Sequence, residues 1–376
     1  MTPHQPVLVA GGGPAAIESL LALRDLAGDA VVLELLAPDS TLVVKAYEVL
    51  SPFHEGIEHR YPLARIAADL GVPLVRDALA GVDAQARTVA LHSGSERRYG
   101  RLIVAVGARQ AGTIAGAIPF RGVQDAAKLK SLLIESHSGR HGSVAFVVPG
   151  GHTWPLPLYE LALHTSTWLE ERSISGVPLS VVSPEAAPLA SFGSRVSDEV
   201  AMLLDRADIE FVSAHAIRHE PGRLLVAGGP ALDADLAIAM VRLEGPRIPG
   251  LPSDDDGFVP VDALGRVEGV EGVFAAGDAS SFPLKQGGLA TQQADAIAEQ
   301  IASELGAAEA PAGGSRPVLR AVLYDGRRKR YLQAELGEAL HASSVASEDP
   351  LWPESSKLVG RYLAPYLDAL DDVTDP

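Results

Sequence analysis

The 376-residue chain contains no cysteine. That absence excludes a redox disulfide, cysteine persulfide chemistry, thiolate zinc sites and cysteine-ligated iron–sulfur clusters on this chain. Any redox chemistry must therefore belong to a bound cofactor. Positive charge is also scarce: 31 Lys and Arg stand against 48 Asp and Glu, a formal net charge of -17. Nucleic acid is thereby excluded as the main partner, because phosphate binding needs positive surface. No run of 18 or more apolar residues and no charged-then-apolar leader is present, which predicts a soluble, cytoplasmic chain with no integral membrane segment. Hydrophobic residues make up 47% and charged residues 21%, so sizeable cores are expected, in two or three domains.

The N-terminal stretch "PVLVAGGGPAAIESLLALRDLAGDAVVLELLAPD" runs strand, glycine turn, helix, strand. The same order returns in "VAFVVPGG", "LPLYELALHTSTWLEERS" and "VPLSVVSPE". Both second strands end in a small residue, proline and an acid, which predicts two nucleotide-type halves. In Gly11-x-Gly13-x-x-Ala16 the first glycine permits the tight turn and the second lets a pyrophosphate approach the backbone. Pro14 and Ala15 then open a helix whose N-terminus attracts negative charge. Asp39 is the first candidate for the ribose-binding acid at the end of the second strand, with Glu34 as second choice.

Two further segments, "RLIVAVGARQ" (101–110) and "VFAAGDAS" (273–280), complete a pattern that covers residues 6 to 305. The pattern resembles the FAD-dependent pyridine nucleotide-disulfide oxidoreductase-like family, flavoproteins with two dinucleotide-binding domains. Ala105 and Gly107 fall in the stretch that looks like the family's crossover motif. Gly277 and Asp278 fall in its second FAD motif, where the aspartate holds the ribityl chain. The resemblance implies an α/β fold of two Rossmann-like, doubly wound, three-layer domains and a small C-terminal α+β cap. The FAD-binding domain is expected over 1–112 and 255–305, the second, NAD(P)-type domain over 113–254, and the cap over 306–376. In "LKQGGLATQQADAIAEQ" the resemblance places a helix start, with Ala290, Thr291 and Gln292, under the pyrimidine end of the flavin. Lys285 either stands near that end or is a solvated lysine. Lys45 either meets the FAD pyrophosphate or adenine side or is a loop lysine, and Ala78 is expected beside the adenine. Within the family the sequence leans toward the type II NADH dehydrogenase and sulfide:quinone oxidoreductase branches, although it lacks the cysteines of the latter.

The second glycine turn, "VVPGGHTWPLPLYELA" (147–162), departs from the family pattern G-x-G-x-x-G-x-E-x-A. Glu160 and Ala162 match its tail, but Leu158, Pro155 and Thr153 stand where glycines belong. Proline fits a first helical turn, yet it removes an N–H that a phosphate could use. Gly150, Gly151 and Glu185 are the candidates for a nicotinamide nucleotide, Glu185 favouring NADH by repelling a 2′-phosphate. Glu160 has two readings, a group that orients a substrate at the flavin or a buried structural carboxylate. The basic run "GRRKRY" (326–331) reads as a solvated hairpin, or as a docking point for an acidic carrier or a membrane surface. Trp352, Tyr362 and Tyr366 are read as interface or core, since the family's C-terminal region covers the flavin or forms a homodimer. His152, His164, His215 and His219 show no metal-ligand spacing, and no metal is expected.

The expectation is an FAD-dependent oxidoreductase with NADH or NADPH as donor and a quinone or small redox protein as acceptor, cytoplasmic or peripheral at the inner face of the membrane. Two alternatives stand beside it. One is a flavoprotein that oxidises a small organic or sulfur substrate without a nicotinamide nucleotide. The other is a non-enzymatic FAD-binding partner or sensor.

Overall fold

The computed structural model describes residues 6–54, 59–137, 142–309, 316–337, 343–353 and 356–374. Strand β1 (Val7–Ala10) leads into helix α1 (Pro14–Ala27), followed by β2 (Leu33–Leu36), β3 (Leu74–Val75) and β4 (Arg101–Val104). All four residues of β1 are buried, as a parallel strand covered by layers on both faces requires. Gly13 caps α1 and Pro14 takes its first position, where the missing N–H goes unused.

A second βαβ series then begins. It comprises β5 (Ile118–Phe120), α2 (Val123–His137), β6 (Val144–Val147), α3 (Leu156–Glu171), β7 (Leu179–Ser183), α4 (Ser194–Arg206), β8 (Ile209–Ser213) and β9 (Leu236–Met240). The chain returns with β10 (Val273–Ala275), which adds to the first sheet. That sheet has the parallel order β10-β4-β1-β2-β3, and the second has the parallel order β5-β9-β6-β7-β8. The first sheet is thus assembled from two separate stretches of chain. In register, Val7 faces Leu33 on one side and Arg101 on the other, which aligns the two glycine-rich strand ends on one edge.

Helix α5 (Gly287–Glu304) packs along α1. It starts a turn earlier than the sequence suggests, because the Gln286 side chain accepts the N–H of Leu289 at 2.8 Å and caps it. The glycines of "KQGG" are therefore the first turn of a helix rather than a loop. The C-terminal region forms the antiparallel sheet β11 (Val318–Tyr324), β12 (Lys329–Glu335) and β13 (Ser343–Ser347), then helix α6 (Leu363–Thr374). Leu319, Leu323 and Leu332 join the core of the second half, whereas Leu363 and Leu367 join that of the first. One C-terminal piece is thereby fastened to both halves.

The basic run is consumed internally. Arg327 binds Glu170, Arg328 binds Glu348 at 3.0 Å, and Arg330, 4% exposed, binds Glu348 at 2.9 Å and Glu199 at 3.2 Å. Lys329 lies over the Tyr324 ring. The three arginines brace the hairpin against α3, α4 and the strand end after β13, so their charge is answered by acids within the chain.

Candidate functional site

Gly11 closes β1 with φ +134°, and a Cβ there would lie 2.0 Å from the carbonyl oxygen of Ala105. The ends of β1 and β4 can meet this closely only through glycine. Beside them opens a cavity of about 410 Å³ lined by Gly11, Asp39, Ala78 and Gly107. Its other walls include His92, Arg109 and Arg247, none of which the motif reading singled out. The available signals were positional: Arg109 lies just past the crossover glycine, and Arg247 sits between Pro246 and Pro249. Arg76 donates to the carbonyls of Pro38, at 2.9 Å, and Asp39, which holds the strand end while the Asp39 carboxylate stays exposed at the cavity. Glu34 is instead paired with Arg97 at 3.4 Å and does not line the cavity.

Beyond Gly13 and Pro14, three elements converge on Gly277. A Cβ on this residue (φ +68°) would stand 3.3 Å from the Ala290 Cβ and 3.4 Å from the Ala15 Cβ. The Gly277 N–H donates to Gln293 Oε1 at 2.7 Å. The neighbouring Asp278 carboxylate accepts no hydrogen bond from any described residue. Burial pushes its carboxyl above the usual range, and Lys285 and then Lys45 oppose that shift. Lys285 is 5% exposed, donates to the Ser280 carbonyl and lies 3.6 Å from the Phe258 ring centre. Burial pushes its ammonium down to about 8, against the pull of Asp278 and Asp254. Lys285 is thus a buried cation beside Asp278 and not a solvated one. Lys45 is exposed and lies outside the 410 Å³ cavity, acting on Asp278 by charge. Thr291 turns the other way: its hydroxyl meets the carbonyls of Gly288 at 2.9 Å and Val359 at 2.8 Å, so it serves the C-terminal segment. Gln292 ties α5 to both N–H and C=O of Val318.

This arrangement fits FAD. Glycine stands where side chains would overlap, α1 starts directly after the β1 turn, and a largely buried carboxylate without a protein donor is set to receive hydroxyls.

A second cavity, of about 380 Å³, lies over Gly150 and Gly151 and is walled by Thr113, His152, His215, Arg242, Glu244 and Asp256. A Cβ on Gly151 (φ +89°) would be 3.8 Å from Arg242 Cδ, and one on Gly150 would be 3.6 Å from His215 Nδ1. Arg242 has no hydrogen-bonding or ion-pair partner for its guanidinium among the described residues. A free guanidinium and two imidazoles therefore stand over the turn whose N–H groups the prolines deplete. His152 Nε2 lies 3.2 Å from Asp256 Oδ2, and its ring meets Phe258 edge-on at 4.7 Å. The Phe258 ring thus lies between Lys285 and His152, a wall residue of the second cavity.

Glu185 is not brought to this cavity. Its carboxylate accepts from Tyr159 Oη at 2.9 Å and Ser183 Oγ at 3.0 Å, and burial raises it above the carboxylate range. The strand-end acid is folded inward onto a tyrosine of α3. Glu160, 1% exposed, also faces inward and accepts from Lys357 Nζ at 2.6 Å and Tyr324 N at 2.8 Å. Lys357 in turn donates to the Ala46 carbonyl at 3.2 Å, so the pair joins both halves and the C-terminal segment. Burial raises the Glu160 carboxyl while Lys357 pulls it back. One turn along α3, His164 is pushed down to about 4 by burial and the charge of Lys357, and its Nε2 has no partner.

A family model for pyridine nucleotide-disulphide oxidoreductases matches residues 5–298. Apoptosis-inducing factor 3 of Mus musculus is 27% identical over 232 residues, 57% of this chain and 35% of that protein. The chain spans 35% and 43% of the lengths of the curated relatives it matches. Among solved structures, the sulfide:quinone oxidoreductase of Aquifex aeolicus superposes with a TM-score of 0.81 at 18% identity, covering 98% of this chain and 90% of that one. A ferredoxin reductase of Rhodopseudomonas palustris gives 0.66 at 19% identity, covering 89% and 83%. With the family model spanning both nucleotide-binding halves, the chain belongs to the pyridine nucleotide-disulphide oxidoreductase family.

Proposed function

We propose that the protein is an NAD(P)H:acceptor reductase that delivers electrons to a quinone. Gly11, Gly13, Pro14, Ala15, Asp39 and Ala78 hold the dinucleotide part of FAD, with Ala105 and Gly107 at the crossover and Gly277, Asp278, Ala290 and Lys285 around its flavin end. When bound there, FAD supplies the hydride-accepting and electron-donating ring. Arg242 and His215 hold the donor's pyrophosphate over Gly150 and Gly151, where charge-assisted bonds replace main-chain N–H groups lost to proline. With Glu185 engaged by Tyr159, no strand-end carboxylate repels a 2′-phosphate, so both NADH and NADPH are accepted.

The observation that carries the acceptor is the sealed Glu160–Lys357 pair at the junction of both halves and the C-terminal segment. Quinone reduction consumes protons along with electrons, whereas a one-electron redox protein consumes none. A buried carboxyl raised by desolvation beside a lysine is a group suited to holding and passing a proton. The likeness to a sulfide:quinone oxidoreductase, which extends through the C-terminal region, supports this reading. No described helix is long and apolar enough to cross a membrane, so a quinone in the bilayer would be met from the periphery.

Anaerobic mixing with NADH and with NADPH, followed by oxidised-flavin absorbance near ~450 nm, tests the donor. Re-oxidation by a soluble quinone, compared with a ferredoxin, then tests the acceptor. Bleaching by both nucleotides and faster re-oxidation by quinone is expected. No bleaching by either would refute the reading and favour direct oxidation of another substrate.

A further inference from the structure

Glu18 lies on α1, facing α5, with its side chain fully enclosed. Its carboxylate accepts the main-chain N–H groups of Tyr362 at 2.9 Å and Leu363 at 2.6 Å. These are the groups at the start of α6, so one acid caps the helix and answers its dipole. The approach depends on Gly360, where a Cβ would stand 2.9 Å from Glu18 Oε2. Close to the same carboxylate lies Asp295 of α5, with its Oδ1 buried and without a partner. A fully enclosed carboxyl and a half-buried one close to it cannot both ionise cheaply, so the pair keeps one proton.

The charged and titratable groups around the pair leave it a net acid. On α1 Asp25 accepts from Tyr362 Oη at 3.2 Å. On α5 Glu299 is bound to Arg361 of the C-terminal segment at 3.3 Å. Arg361 opposes the pair only in part, because Glu299 shares its charge.

We propose that Glu18 and Asp295 form a one-proton latch that fastens residues 357–374 to the FAD-binding half, closed while the pair carries its proton. What the latch secures is functional surface. Val359 receives the hydroxyl of Thr291 in the first turn of α5, and Lys357 completes the buried pair with Glu160. Release of the segment would admit water to both places. The latch itself stands on contacts independent of which acceptor the protein uses.

The direction follows from linkage. Burial and the charge of Glu18 raise the Asp295 carboxyl from 3.8 to about 8. Its contribution to closure is complete below the ordinary value and is lost as pH rises through the raised one. Hydrogen exchange of the FAD-bound protein between pH ~5.5 and ~8.5, corrected for intrinsic amide rates, reads the opening of residues 357–370. The opening constant should rise by up to about tenfold per pH unit and level off above pH about 8. Asp295→Asn should flatten that profile and, at the alkaline end, protect the segment better than wild type. Glu18→Gln should loosen it at every pH, since an amide offers only one acceptor oxygen to two N–H groups. A wild-type profile without slope overturns the latch, and so does an unchanged slope in Asp295→Asn. The wild-type profile decides alone if either variant fails to fold.

Discussion

Replacing Lys357 by methionine would leave Glu160, 1% exposed, with no cation in contact. Unit charges 2.6 Å apart interact by about 6 kcal/mol at an effective dielectric constant of about 20. Buried pairs broken at one partner cost roughly 3–5 kcal/mol. A second route bounds that cost, because Glu160 can take a proton. Neutralising a carboxyl of ordinary value 4.5 costs about 1.4 kcal/mol per pH unit above it, so about 4 kcal/mol at pH ~7.5 and about 1.4 at pH ~5.5. Lys357→Met should therefore destabilise the protein strongly at neutral pH and mildly in acid. The sign agrees with the raised carboxyl of Glu160, whose protonated form is tolerated inside at low pH and whose contribution fades as pH rises. The double variant Glu160→Gln/Lys357→Met should return to within about 1 kcal/mol of wild type, since matched neutral partners leave no buried charge. Urea unfolding at the two pH values, monitored by flavin release, supplies the comparison. A loss below about 1 kcal/mol at pH ~7.5, or one that does not shrink in acid, would refute the argument.

Gly11→Ala should yield protein without FAD, since the strained φ and the overlap with Ala105 each cost about 1–3 kcal/mol; the ratio of flavin to protein absorbance reports it. Arg242→Ala should raise KM for NADH and NADPH by about tenfold or more with kcat less affected, the loss of a charge-assisted contact of roughly 1.5–3 kcal/mol; equal KM values would place the donor elsewhere. Lys285→Met should abolish a titration near pH 8 in the flavin absorbance of the wild type, measured spectrophotometrically, because the lysine gains its charge as pH falls through that value. Arg328→Ala should leave turnover and its salt dependence within about twofold, because that side chain is an exposed partner of Glu348 worth under ~1 kcal/mol; a steeper salt effect would make the hairpin a docking point after all.

Much of the first nucleotide half was legible because its chemistry is local. Gly11, Gly13 and Pro14 act within one turn, and strand, glycine and helix follow each other in order. The turn at Gly277 and Asp278 was legible for the same reason, as a short run just past a strand end. The partners of those residues were not legible. Arg109 and Arg247 reach one cavity from segments far apart in sequence, and His92 joins them from a third. Glu185 closes its strand where the repeat placed it, yet its direction depends on Tyr159, a residue of a different helix.

The modified turn shows the same division. Its sequence determined that Thr153, Pro155 and Leu158 stand where glycines belong and that prolines removed N–H donors. Only the tertiary structure put Arg242 and His215 above it: β9, which ends before Arg242, lies beside β6 in the sheet, and β8, which ends before His215, lies two strands away on the other side. Glu160 was visible as a motif position, but Lys357 lies 197 residues away, and their pairing waits on the docking of the C-terminal segment. Sequence alone determined the glycine turns, the start of α1 and the exclusion of thiol chemistry, which depend on residue type and near neighbours. The pairing of buried charges was decided in three dimensions, since a charge can leave water only where the fold supplies its partner.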